Sequence, residues 1–228
     1  MSISSDFLTG KNTDALEYFQ GDKILIHKDM RADLSSMFEH AQRDGLNLAL
    51  TSCFRSYDLQ KSIWNEKVQG LRPVLDSTSQ PVDLSTKSNE EILFLILRWS
   101  AIPGGSRHHW GSDFDIYDLS IMSKNYKVQL IPAEYEKGGV FYNANLWLNE
   151  NMKDFGFFRP YFKDSGGIAP EPWHLSYKPL SEKLLESFTF EVFQNHLASA
   201  DFLLIKEAQA FADILYDRYI QIPRQFDT

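Results

Sequence analysis

The residues that could do chemistry sit in two short runs. Ser106-Arg107-His108-His109-Trp110-Gly111-Ser112-Asp113-Phe114-Asp115 holds two imidazoles and two carboxylates around a glycine, and Glu171-Pro172-Trp173-His174 adds a third imidazole just after a carboxylate. Imidazole and carboxylate are zinc ligands, and three protein ligands with an open fourth position mark a catalytic rather than a structural site. His108, Asp115 and His174 supply such a set. Zinc lowers the pKa of a water to about 7, and Glu171 is a carboxylate that can take that proton and pass it to a leaving amine. The chemistry is metal-assisted hydrolysis.

Spacing then says what must position these groups. In a strand starting at Asp113, the residues Asp113, Asp115 and Tyr117 share one face while Phe114 and Ile116 anchor the other. His108 lies seven residues before Asp115, an odd separation that a regular strand would send to the opposite face, so a bend is required and Gly111 can supply it. In the second run Trp173, Leu175 and Tyr177 alternate with His174 and Ser176, and Pro172 biases Glu171 toward extended backbone. His109, four residues from Asp113, is an alternative to His108 that the strand reading does not favour. Asp113 reads as a second-sphere or substrate-contacting carboxylate, and Asp118 as an exposed charge at the strand end.

The supporting elements follow from periodicity. A helix is expected over residues 29–44, with Met30, Leu34, Met37, Phe38 and Ala41 inward and Gly45 stopping it. A strand over 46–54 delivers Arg55 and Ser56 at its end. The next helix, from Asp58 to about Gln69, is expected to carry Leu59, Ile63 and Trp64 inward, with Gln60 a local hydrogen bonder. Residues 70–88 read as a long loop. Asn89 is expected to cap a helix through Trp99, residues 119–139 are irregular or short-stranded, and 143–152 resume a helix that Gly156 ends. From Ser181 to Ile220 the pattern is helical in two pieces around Ser199-Ala200-Asp201.

Composition bounds the function. The chain has 228 residues, is 43% hydrophobic and carries a net charge of -8, so one domain over residues 1–228 is expected, with a motif-bearing core at about 29–180 and a helical addition at about 181–220. There is no basic field for nucleic acid. The longest apolar run, Ile92 to Leu97, is far short of the roughly 20 residues that span a bilayer. The single cysteine, Cys53, reads as a buried thiol. Met1 to Asp6 lack the pattern of a secretory signal, which places the chain as written in the cytoplasm, or in the periplasm if a leader has been trimmed. The oligomeric state is not legible.

These residues resemble the zinc D-alanyl-D-alanine carboxypeptidases and dipeptidases, relatives of hedgehog and lysostaphin-type domains. Ser106, His108, Gly111 and Asp115 fit the family's Ser-x-His-x-x-Gly-x-x-x-Asp run, Glu171-Pro172-Trp173-His174 its Glu-x-Trp-His signature, and Phe54-Arg55-Ser56 with Gln60 its upstream arginine segment. The resemblance implies one zinc per chain on His108, Asp115 and His174, Glu171 as general base and acid, and Arg55 on the oxyanion or the substrate carboxylate. By the same resemblance Ser106 would contact substrate, and Trp173 would wall the substrate cleft and orient its neighbours. Asp113 departs from the family, which often has alanine there.

The resemblance implies an α+β fold in which a small, mainly antiparallel sheet carries the zinc site and helices pack around it. The substrate would be a peptidoglycan-derived peptide losing its terminal D-alanine. D,D-dipeptidase, L,D-carboxypeptidase or endopeptidase activity, and a non-catalytic hedgehog-like zinc module, are the alternatives.

Overall fold

The computed structural model describes residues 3–19, 21, 24–123 and 126–221. Met1 and Ser2, part of the N-terminal reading, and Lys124 and Asn125, within the irregular segment, lie outside them. Among the described residues, ten α-helices and six strands run in the order α1 (Ser5–Leu8), β1 (Leu16–Phe19), β2 (Ile24–His27), α2 (Arg31–Arg43), β3 (Leu48–Ser52), α3 (Tyr57–Val68), α4 (Asn89–Leu97), β4 (Asp113–Asp118), α5 (Pro132–Tyr135), α6 (Tyr142–Asn151), β5 (Phe157–Phe158), β6 (His174–Tyr177), α7 (Lys178–Ser187), α8 (Phe190–Ser199), α9 (Ile205–Ala210) and α10 (Ala212–Leu215). The fold is α+β.

β1 and β2 form a hairpin, and the main sheet has the order β3-β4-β6-β5 with every pair antiparallel. β4 is therefore a central strand. Phe114 and Ile116 on one face of it are fully buried against Leu34, Met37, Leu50, Phe157 and Leu175. Burying side chains of this size stabilises the strand by roughly 1.5–3 kcal/mol each, which fixes the opposite face as a rigid platform.

Helix α2 buries Leu34, Met37 and Ala41 as the spacing predicts, and Phe38 packs partly buried beside them. In α3 the inward set is Tyr57, Gln60 and Trp64. Leu59 instead points outward at 51% exposure, because the buried stripe at i, i+3 and i+7 falls one position later. The cap of α4 is Ser88 rather than Asn89: Ser88 Oγ accepts from the Glu91 amide, and Glu91 returns the bond to the Ser88 amide. A capping box fixes the helix start there.

The C-terminal stretch differs most. It folds as α7 to α10 and a π-helical turn at Tyr216–Ile220, not as two helices. Thr189 caps α8, and Leu204 in left-handed backbone starts α9. Leu184, Phe193, Leu197, Ala208, Leu215 and Ile220 share one buried cluster with Trp64, Leu93 and Ile96, so these helices cover the α3–α4 pair.

Candidate metal centre

Two strands and one turn assemble the site. In the antiparallel β4–β6 pairing Asp115 lies directly opposite His174, and Asp113 opposite Ser176, a register that brings such side chains within about 5 Å at Cβ. His108 arrives differently from the bent strand expected. It sits in a 3-10 turn, Arg107–Trp110, that ends at Gly111 in left-handed backbone, φ 65°. A Cβ at Gly111 would lie 2.6 Å from Leu16 Cδ2 and 3.0 Å from the His27 amide nitrogen, so both the conformation and the space call for glycine.

His108, Asp115 and His174 are all buried and can each offer one ligand atom within 4.8 Å of the others. Hydrogen bonds sort the ring nitrogens. His108 Nδ1 is 2.8 Å from the Cys53 carbonyl oxygen, which can only accept; that places the proton on Nδ1 and turns the Nε2 lone pair toward Asp115 Oδ2, 3.5 Å away. His174 Nε2 faces Asp113 Oδ1 at 3.1 Å. Its Nδ1 lies 3.3 Å from Asp115 Oδ1 and 3.5 Å from Glu171 Oε2.

His174 Nδ1 and Asp115 Oδ1 are both buried without a hydrogen-bond partner. Buried polar atoms are seldom left unsatisfied, and a lone pair beside two carboxylates and a second imidazole is what a divalent cation satisfies. The residues therefore fit a zinc ion.

The electrostatics carry the same mark. Burial lowers the His108 pKa to about 4. Burial would lower His174 too, but its bond to Asp113 and the neighbouring Asp115 carboxylate outweigh that and push it up to about 9. Burial raises Glu171 to about 7 against the pull of His174 and Arg55.

Arg55 is held from several directions. Its guanidinium donates to Gln60 Oε1 at 2.8 Å and to Ser52 Oγ at 3.3 Å. Its amide donates to the His108 carbonyl at 3.0 Å, and its carbonyl accepts from His109 Nδ1 at 2.6 Å. His109 Nε2 in turn accepts from the Gly104 amide. His109 is thus a buried clamp on the Arg55 backbone, and its ring has no nitrogen left for a metal.

Three sequence assignments need correction. Asp113 is fully buried, and its carboxylate is taken up by Arg107 Nε at 2.7 Å, Ser112 Oγ at 2.8 Å, Ser176 Oγ at 3.0 Å and His174, so no face of it is left for a substrate. Trp173 is 4% exposed, stacked at 6.5 Å on Trp99 and packed against Tyr135; it braces the wall from inside. Asp118 is buried rather than exposed, accepting from the Asn47 and Ser120 amides. Ser106 starts the 3-10 turn without capping it through its hydroxyl, and is nearly enclosed.

Sequence reasoning missed Arg107, Tyr161 and Lys67. The Tyr161 ring lies 4.8 Å from that of His174, and its carbonyl accepts the Glu171 amide at 2.9 Å. Lys67 donates to Ser100 Oγ at 2.6 Å; burial and the neighbouring Arg55 lower its pKa to about 8, with Glu171 opposing. The signal for Lys67 was its place seven residues after Gln60, on one helix face.

Residues 23–180 match the sequence model of the VanY family, described as D-alanyl-D-alanine carboxypeptidase. An uncharacterized protein of Haemophilus influenzae is 35% identical over 121 residues, 50% of this chain and 92% of that protein. The D-alanyl-D-alanine carboxypeptidase of Enterococcus faecalis is 29% identical over 147 residues, 63% of this chain but only 45% of that protein. Among solved structures, a mutant of the vancomycin-resistance D,D-pentapeptidase VanY in complex with Zn(II) superposes with a TM-score of 0.53 at 23% identity, covering 78% of this chain and 92% of that one. VanYB in complex with D-alanine-D-alanine gives the same TM-score and identity over 82% of this chain and 89% of that one. The chain belongs to the VanY family of D-alanyl-D-alanine carboxypeptidases.

Proposed function

We propose that the protein is a zinc-dependent carboxypeptidase that removes the terminal D-alanine from peptidoglycan-type stem peptides ending in D-Ala-D-Ala. The observation that carries this reading is the pair of unsatisfied buried atoms, His174 Nδ1 and Asp115 Oδ1, set beside His108 Nε2 and the Glu171 carboxylate.

His108, Asp115 and His174 would hold the ion. A zinc ion bound there supplies Lewis-acid chemistry, polarising a carbonyl and acidifying a water. The protein's own groups do the rest. Glu171, with a pKa raised to about 7, exchanges a proton readily near neutral pH, so it can accept one from the attacking water and deliver it to the departing amino group. Arg55 is pre-oriented by Gln60, Ser52 and the backbone bonds to His108 and His109. Its guanidinium suits either the oxyanion that develops at the scissile carbonyl or the substrate's terminal carboxylate.

Lys67 adds a second cation to this wall, held on Ser100. Two cations near enough to Glu171 to feel its charge favour a substrate that ends in a free carboxylate, which supports an exopeptidase over an endopeptidase. The test is release of free D-alanine from a synthetic peptide ending in D-Ala-D-Ala, compared with the same peptide amidated at its C-terminus. Rapid release from the free acid and slow turnover of the amide support the reading. Equal cleavage of both, or cleavage at an internal bond, overturns it.

A further inference from the structure

We propose that Asp113 is a positioning residue that decides which nitrogen of His174 is offered to the metal, a role that rests on the zinc reading above. The observation is a closed, fully buried chain of bonds. Asp113 Oδ1 accepts from His174 Nε2 at 3.1 Å and from Arg107 Nε at 2.7 Å. Oδ2 accepts from Ser112 Oγ at 2.8 Å and Ser176 Oγ at 3.0 Å. Arg107 also donates to Ser176 Oγ at 2.6 Å, and its guanidinium lies 4.9 Å from the centre of the Trp110 ring.

A neutral imidazole carries one proton and one lone pair, and a carboxylate bound to one nitrogen keeps the proton there. With the proton on Nε2, the lone pair is on Nδ1, the atom left without a hydrogen bond and pointed at Asp115 and Glu171. Asp113 is itself immobile. It sits on β4 directly opposite Ser176, two residue pairs along from the Asp115–His174 pair, and the Arg107 charge compensates its burial. The carboxylate thus fixes the ring's tautomer and orientation and makes Nδ1 a stronger donor.

Asp113 and Arg107 are a unit. Replacing Asp113 with an apolar residue would leave the Arg107 guanidinium buried without its counter-charge, a change that can unfold the chain. Asp113→Asn also removes the counter-charge but keeps the size and the hydrogen bonds, its amide oxygen accepting from Arg107 and His174 and its amino group donating to the serine hydroxyls, so it weakens the hold on His174 with the smallest change in packing.

The experiment has two arms on the full chain loaded with zinc. A two-bond proton–nitrogen NMR correlation on the histidine-labelled native protein is expected to show the His174 proton on Nε2 and the metal on Nδ1. Chelator competition is expected to show zinc affinity lower by about 10-fold or more in Asp113→Asn, with secondary structure unchanged. A proton on Nδ1 of His174 in the zinc-loaded native protein overturns the inference, as does Asp113→Asn affinity within twofold of native. A purely structural Asp113 predicts lower thermal stability with unchanged zinc affinity, and that result also overturns it. Failure of the native chain to take up zinc at all overturns the zinc reading and this inference with it.

Discussion

His108 and Cys53 are joined across 55 residues by one hydrogen bond, the imidazole Nδ1 lying 2.8 Å from the Cys53 carbonyl oxygen. The bond ties the end of β3 to the turn before β4, and it settles the tautomer of one candidate ligand as Asp113 settles that of another. Each imidazole is held by the nitrogen that faces away from the site, so the site is pre-organised before any ligand enters.

Glu171→Gln is expected to retain zinc and to lose about 10²–10⁴-fold in kcat, because the carboxylate moves protons in the proposed mechanism. Metal content by atomic absorption and the rate of D-alanine release measure the two separately. Native-like turnover in this variant would remove Glu171 from its role.

Gln60 is fully buried between Arg55 and the Ala101 carbonyl, to which its Nε2 donates at 2.6 Å. Gln60→Leu frees the Arg55 head and leaves a buried carbonyl unsatisfied, so a stability loss of about 1–3 kcal/mol is expected, together with a lower kcat/KM and unchanged zinc affinity. Urea unfolding and steady-state kinetics check it. Kinetics identical to native would show that Arg55 does not depend on this hold.

Lys67→Met is expected to lower kcat/KM about tenfold on the free acid, the size of one lost charge-assisted bond, and much less on the C-terminal amide. Equal losses on both peptides would place the Lys67 charge outside substrate recognition.

His196 gives a pH dependence away from the site. It is buried on the Pro103 carbonyl, and burial lowers its pKa to about 4 from 6.5. The folded chain therefore binds fewer protons there than the unfolded chain, so this stability is present above pH 6.5 and is lost as pH falls toward 4. Between pH 7.5 and 5 the contribution falls by about 2 kcal/mol. His196→Gln, whose amide can still donate to Pro103, should lose less stability on acidification by that amount; identical unfolding profiles at both pH values would contradict it.

Much of the site was legible because strand periodicity is strict. Asp113, Asp115 and Tyr117 against Phe114 and Ile116 could be read with no fold in hand, and so could the need for a bend at Gly111. What the sequence withheld was pairing. Nothing local shows that Asp115 faces His174, or that Asp113 faces Ser176 and so sits behind the site rather than in front of it. Alternation placed Trp173 with the apolar set that packs, where it lies, and the burial overturns only its contact with substrate, because alternation gives the face of a side chain but not how much of that face the core covers. Leu59 and the pieces of the C-terminal region were misread where apolar residues are dense enough to fit more than one helical register.

The most direct test of the central claim is D-alanine release from a D-Ala-D-Ala peptide by the full chain, stripped of metal with a chelator and then given back one equivalent of zinc. Activity is expected to disappear on stripping, to return with zinc, and not to return in a His174→Ala variant. Turnover that survives complete metal removal would contradict it.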